Sequence, residues 1–365
     1  MNTRTQTTRF APKEGATAEY HILVSVTDPE LPFADQLDAV LQACVSATEG
    51  RNIHFRRFFL SDAPGQAPQL EAALKAFPGV PTSFVEQAPL DGTCIAAWLY
   101  ATDAMPCPDG IPSHNGYAHH WTGSLVSQEG DSYRQMSDIF AHYGTQQAQK
   151  GLSVARDTIR TWIFVRDIDN NYAGVVKGRK EYFDSIGLTA DTHYIASTGI
   201  EGEAADERVL VEMDAYSVEG LKDGQLRYLY ALDHLSRTCD YGVTFERGST
   251  VTYGDRQQIY ISGTASIDAA GKTLFEGDIR RQTERMLENV RALLAEADAS
   301  FQDIAMAIVY LRNTDDYQAV RDILSQAYPT LPVVYVHGPV CRPAWLVEME
   351  CIALTPAGDP SFRRF

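Results

Sequence analysis

Gln258-Ile259-Tyr260-Ile261-Ser262-Gly263-Thr264-Ala265-Ser266-Ile267 is the stretch from which the fold is read. It is mostly apolar and β-branched, with a glycine interrupting it, and so predicts a strand. Gly271 marks a turn after it. Residues 278–297 then place Met286, Leu287, Val290, Leu293 and Leu294 at helical spacing. A second strand is expected over 305–311 and a second helix over 315–328, with Tyr317, Val320, Ile323, Leu324 and Ala327 turned inward. Residues 332–336 and 346–352 supply two further strands. This order predicts an α+β unit with helices on one face of a mixed sheet.

The pattern recurs upstream. Leu60, Pro81 and Val85 return as Leu311, Pro332 and Val336, each 251 residues later, and Phe59 and Phe84 fall on Tyr310 and Tyr335. In the middle of the chain Leu210-Val211-Glu212-Met213 matches Leu346-Val347-Glu348-Met349, and Asp131, Arg134 and Gln135 match Asp278, Arg281 and Gln282. Residues 162–167 correspond to 308–313. The offset falls from 147 at Asp131 to 136 at Leu210, which places extra chain near residues 201–207. Three diverged copies are therefore expected, over 16–110, 111–232 and 233–356, arranged with pseudo-threefold symmetry inside one chain.

Duplicated scaffolds can keep chemistry in one copy. The last copy carries Cys341, Arg342 and Glu348, whereas the constant offset puts Leu90, Asp91 and Ala97 at those places in the first. The middle copy retains a carboxylate, Glu212, without the cysteine or arginine. Alternation along the strand puts Glu348 and Glu350 on one face, either as charges on an edge strand or as half-buried acids. Arg342, just before that strand, suits a carboxylate ligand. Tyr172 and Arg179 lie seven apart on a predicted helix and share a face, either as part of a site or as core tyrosine and solvated cation. His114, His119 and His120 lack a partner at metal-ligand spacing. Cys341 is expected to line a pocket rather than act as a nucleophile.

The 365 residues hold 31 Lys and Arg against 48 Asp and Glu, a net charge of −17. That balance disfavours nucleic acid and anionic membranes as partners, so an anionic ligand would need a few focused arginines. No apolar run is long enough for a transmembrane helix, the N-terminus has no apolar signal region, and the six cysteines include no CxxC pair. A soluble cytoplasmic protein with reduced thiols is expected.

The repeated unit resembles the Rid/YjgF fold, and residues 115–355 resemble the chorismatases, which are built from such units. The resemblance rests on residues 261–267, on Gly277-Asp278 with Gln282, on Val340-Cys341-Arg342, and on Leu346-Val347-Glu348. Arg160-Thr161-Trp162, Tyr172 and Gly178-Arg179 fit the family's central segment. It implies cleavage of the enolpyruvyl ether of chorismate, with Glu348 as the acid. Arg342 and Arg179 would anchor the dianion, and Tyr172, Cys341, Ala265, Thr264 and Gly263 would line the substrate site. Ala265 resembles the hydrolytic members and Cys341 those that form 3-hydroxybenzoate, so the ring product stays open. No cofactor or metal is implied, and the expected partner is a small carboxylate substrate. The chain is expected to be a monomer with a pseudo-trimeric core or a homo-oligomer. An enamine or imine deaminase of the Rid type and a non-catalytic binder of small acids remain alternatives.

Overall fold

Sheet formation repeats three times along the chain in the computed structural model, which describes residues 2–104 and 111–365. Cys107 lies outside the described residues. The first sheet is built from β1 (Thr3–Phe10), β2 (Glu19–Val26), β3 (Asn52–Leu60), β4 (Thr82–Glu86) and β5 (Ile95–Thr102), with helices α1 (Phe33–Ala47) and α2 (Ala63–Leu74). The second has β6 (Ser113–His114), β7 (Tyr117–Val126), β8 (Thr158–Val165), β9 (Ala196–Glu201) and β10 (Val211–Glu219). Its helices are α3 (Ser132–Gln149), α4 (Val154–Asp157) and α5 (Ile168–Ser185). The third has β11 (Leu226–Leu229), β12 (Gly248–Thr252), β13 (Gln257–Ala265), β14 (Ile304–Leu311), β15 (Val333–His337) and β16 (Val347–Thr355), with α6 (Ile279–Glu296) and α7 (Tyr317–Ala327).

The strand orders are β1-β2-β5-β3-β4, β6-β7-β10-β8-β9 and β11-β12-β13-β16-β14-β15. In each, the last strand of the unit lies in the middle of the sheet. One pair per sheet runs parallel: β3 with β4, β8 with β9, and β14 with β15. This is the repeated α+β unit expected from the sequence. The first sheet begins at Thr3, ahead of residue 16, and β11 joins the third sheet although residues 226–229 fall within 111–232.

The matched sequence positions perform one task. Asp131 and Asp278 cap α3 and α6 by accepting from Arg134 N and Arg281 N. One turn in, the amides of Gln135 and Gln282 donate to the carbonyls of Arg208 and Ala344, and accept from the backbone of Leu210 and Leu346. Each glutamine thus ties its first helix to the entry of the central strand. Gln36 makes the corresponding bond to Cys94 N in the first unit.

The units meet head to tail: β3 and β4 pack on β7, β8 and β9 on β12 and β13, and β14 and β15 on β1 and β2. That cycle is a pseudo-threefold arrangement within one chain. Helices cover the outer sheet faces, and the inner faces close around Trp98, Trp121 and Trp162, whose rings lie 6.0–6.1 Å apart.

Two details of the repeat differ from the sequence alignment. Phe164 pairs with Glu212 and Tyr310 with Glu348, while Phe164 and Tyr310 meet Ile200 and Val336 on their parallel neighbours. The offset is thus 146 at Phe164 and already 136 at Ile200. The ten additional residues sit in α5 and the connection after it, not at 201–207, where the β9–β10 link matches the β15–β16 link in length. In the first unit Phe59 faces Ala96, so Ala96, and not Ala97, occupies the place of Glu348. A one-residue slip reverses the face of every side chain beyond it, and a constant offset cannot detect that.

Candidate active site

The cleft between the central and C-terminal units is held by hydrogen bonds from one unit to the other. Ser197 N donates to Ser262 Oγ at 3.0 Å, and Gly263 N to Thr198 Oγ1 at 2.9 Å. Beside this seam lies a cavity of about 360 Å3. The central unit contributes Tyr172 and Gly199, and the C-terminal unit Gly263, Ala265, Cys341, Arg342, Trp345 and Glu348.

Glu348 stands on β16, the middle of its sheet, between Ala265 on β13 and Tyr310 on β14. It is 4% exposed, so it is neither an edge charge nor half-buried. Burial, reinforced by the neighbouring Glu350, pushes its carboxyl up to about 8, against the opposing pull of Arg247 and Arg160. Room for it comes from Gly263, where β13 departs from regular pairing with β16. A Cβ there would stand 2.1 Å from Glu348 Oε1.

Glu350 shares that face and has abundant partners. Arg160 Nη2 donates to Oε2 at 2.6 Å, Trp162 Nε1 and Tyr310 Oη donate to Oε1 at 2.9 and 3.2 Å, and Thr198 Oγ1 also donates. Arg57 of the first unit lies 4.0 Å away and bonds Asp214 at 2.7 Å. Two adjacent carboxyls therefore have opposite surroundings: Glu350 is compensated by cations and donors, while Glu348 faces an open cavity. Such separation is how a site keeps one acid protonated near neutral pH.

The cations are distributed differently from the sequence expectation. Arg342 lines the cavity, stacked over Tyr241 and Trp345 at 4.6 and 4.8 Å. Arg179 is buried just behind the wall, with Nε on Thr244 Oγ1 at 3.1 Å and no partner for Nη2 among the described residues. Arg247, which the sequence reading passed over, lines the cavity instead and is braced by two bonds to Ser236 O. Thr264 lies outside the lining, its hydroxyl turned to Ser262 O. Tyr172 reaches the cavity from α5 because Gly199 opposes it; a Cβ at Gly199 would stand 3.1 Å from the ring. Burial, then Glu348, pushes the Cys341 thiol up to about 12, so it is a neutral lining group.

Arg247 and Tyr241 belong to the irregular segment 238–247, which has no periodic pattern to flag. His119 is in the core, bonded to Tyr216 at 2.7 Å. Among the described residues no group of His, Cys, Asp and Glu is placed to hold a metal ion, and no helix is long and apolar enough to cross a membrane.

The central unit repeats the acidic pair as Glu212 and Asp214. Ser124 takes the place of Gly263 there and donates to Glu212 at 2.5 Å. Its hydroxyl occupies the space that Gly263 leaves open.

The arrangement has known relatives. Residues 249–355 match the Endoribonuclease L-PSP family model. A 3-hydroxybenzoate synthase from Streptomyces hygroscopicus is 28% identical over 257 residues, spanning 64% of this chain and 71% of that protein. The chain is chorismatase-like in sequence and in fold. A RutC family protein from Pyrococcus abyssi is 34% identical over 97 residues, which cover 26% of this chain and 76% of the relative. A chorismatase crystal structure superposes with a TM-score of 0.63 at 18% identity, covering 83% of this chain and 93% of that one. The match spans all three units at the level of fold, so the first unit belongs to the same chorismatase-like architecture. The chain is a chorismatase-like enzyme whose C-terminal unit is an L-PSP domain.

Proposed function

We propose that the chain cleaves the enolpyruvyl ether of chorismate at the cleft between its central and C-terminal units, releasing pyruvate. The observation that carries this reading is Glu348: a buried carboxylic acid, held up to about 8, at the wall of a cavity flanked by arginines. An enol ether is activated by protonation at its terminal methylene carbon, which requires an acid that keeps its proton at neutral pH. Glu348 gives that proton, leaving a carboxylate beside the resulting oxocarbenium. Water then adds to the cation and gives a hemiketal. The bond from the hemiketal carbon to the ether oxygen breaks as the hemiketal hydroxyl loses its proton, so pyruvate leaves. The ring keeps the oxygen, which takes up a proton, as a dihydroxycyclohexadiene carboxylate. In the aromatising alternative the ring departs as a hydroxybenzoate.

Two carboxylates on the substrate call for two cationic anchors. Arg342 and Arg247 supply guanidinium groups at the wall, and Arg179 adds positive charge behind Tyr172. Ala265 and Cys341 line the remaining space and are the side chains proposed to steer the ring product. No cofactor enters this chemistry.

The test is pyruvate release from chorismate, followed through lactate dehydrogenase and NADH, with the ring product identified by chromatography. Turnover in the native chain and a loss of about 10²–10⁴-fold in Glu348→Gln are expected. No pyruvate above the spontaneous rate, or full activity in the variant, would overturn the reading.

A further inference from the structure

A larger cavity lies elsewhere, in the first unit, with Pro112 at its border. It measures about 830 Å3 and opens between α1, α2 and the ends of β3 and β5, far into a unit that contributes no wall to the cleft described above. Most of its lining is apolar, including Leu41, Leu74 and Val80. Val45 and Phe77, two of the few large apolar residues left exposed among the described ones, both belong to it. Its size falls in the range of small-molecule sites.

A buried arginine also lines this cavity. Arg56 is 6% exposed; its Nε donates to Thr82 Oγ1 at 2.6 Å and its Nη2 to Phe77 O at 3.0 Å. Nη1 has no hydrogen-bond partner among the described residues, and no carboxylate there lies within ion-pair reach of the guanidinium. Other buried arginines divide into two groups. Arg57, Arg160 and Arg256 are each paired with an acid at 2.6–3.0 Å. Arg179 and Arg247, beside the inter-unit cavity, have no carboxylate partner. Arg56 belongs with the second group by its pairing and by its place at a cavity wall. Burying a guanidinium without a counter-ion is costly, and an incoming anion would compensate it. The single acid in the described lining, Glu49, is exposed to solvent.

From this we infer that the cavity of the first unit is a second ligand site, taking a monocarboxylate with an extended apolar body, its head on Arg56 and its body against Leu41, Leu74 and Val80. The first unit, which lacks the acid of the C-terminal site, would thus be a binding unit rather than a spent copy.

The probe is 8-anilinonaphthalene-1-sulfonate, an anion with an apolar body, titrated into the folded full chain and displaced by dodecanoate as the chain acid or by 2-naphthoate as the aryl acid. One saturable site is expected, with at least one of the two acids displacing the dye and dodecanol doing so at least tenfold more weakly than dodecanoate. Arg56→Met and Arg56→Lys should weaken binding at least tenfold. Val45→Trp, placed at the exposed rim, should block it without disturbing the interior, and Glu348→Gln should leave it unchanged. Displacement by neither acid, equal binding of dodecanol, undiminished binding in both Val45→Trp and Arg56→Lys, or loss of binding in Glu348→Gln would overturn the inference. Because Glu348→Gln reports on the other cavity, failure here is distinguishable from failure of the chorismate reading.

Discussion

Arg160 of the central unit places Nη2 2.6 Å from Oε2 of Glu350 in the C-terminal unit, both side chains sealed from water. This ion pair joins the two units directly behind the proposed acid. Removing Arg160 strips the buried Glu350 of its closest cation and leaves Arg57, at 4.0 Å, as the remaining one. Arg160→Met is expected to destabilise the fold by about 3–5 kcal/mol, and adding Glu350→Leu should recover much of that loss. Urea unfolding of the two variants checks it; a double variant no better than the single would count against it.

Glu348 must carry its proton to act as an acid. Its folded-state value of about 8 lies above the ordinary carboxyl range, so the active form predominates below that pH. The rate of pyruvate release at low chorismate should be level on the acidic side and fall tenfold per pH unit well above 8. A profile that rises through that region would assign Glu348 the role of base.

Glu212 offers a test free of catalysis. Burial, with Asp214 next, pushes it up to about 8 as well. Between its ordinary value and 8 the folded chain holds a proton that the unfolded chain has released, so stability falls as pH rises across that window. Glu212→Gln removes this loss and can still accept from Ser124. Its melting temperature should gain on the native chain progressively from pH 5 to pH 8, with pyruvate release retained.

Gly263→Ala places a methyl against the Glu348 carboxyl and must displace it. Misplacing a reacting group by about 1 Å costs on the order of a hundredfold in rate. Turnover is expected to fall by about that factor while the fold persists, as judged by circular dichroism. Ser124→Gly, at the corresponding place in the central unit, should leave turnover intact.

Arg247→Met should raise KM for chorismate at least about tenfold, since it removes a charged anchor from the cavity wall. Steady-state kinetics over a range of chorismate concentrations measures it. An unchanged KM would reassign Arg247 to bracing the segment around Ser236.

Much of this architecture can be read without coordinates. The strand at 258–267, the helix beginning after Asp278 and the repeated Leu-Val-Glu-Met are local patterns, and local patterns record local geometry. The matched Asp and Gln positions proved to be a cap and a clamp made within one unit. Glu348, Arg342 and Cys341 stand out when the copies are compared and Tyr172 stands on a helix face, whereas Ala265 and Gly263 come from the family resemblance; all six line one cavity. Arg247 was missed because it sits in an irregular segment. Thr264 came with the same resemblance; strand alternation puts its side chain on the face opposite Ala265, and its hydroxyl turns to Ser262 O.

The sequence by itself determined the repeated α+β unit, the number of copies and which copy carries Cys341, Arg342 and Glu348 together, because periodicity and turn residues act over a few positions. Only the tertiary structure decided that Glu348 is buried beside a compensated Glu350, that the central unit supplies the opposite wall, and that Arg56 stands unpaired in a separate cavity. Those properties depend on desolvation and on charges brought from different units. Arg160 and Glu350 are 190 residues apart in the chain and in contact in the fold.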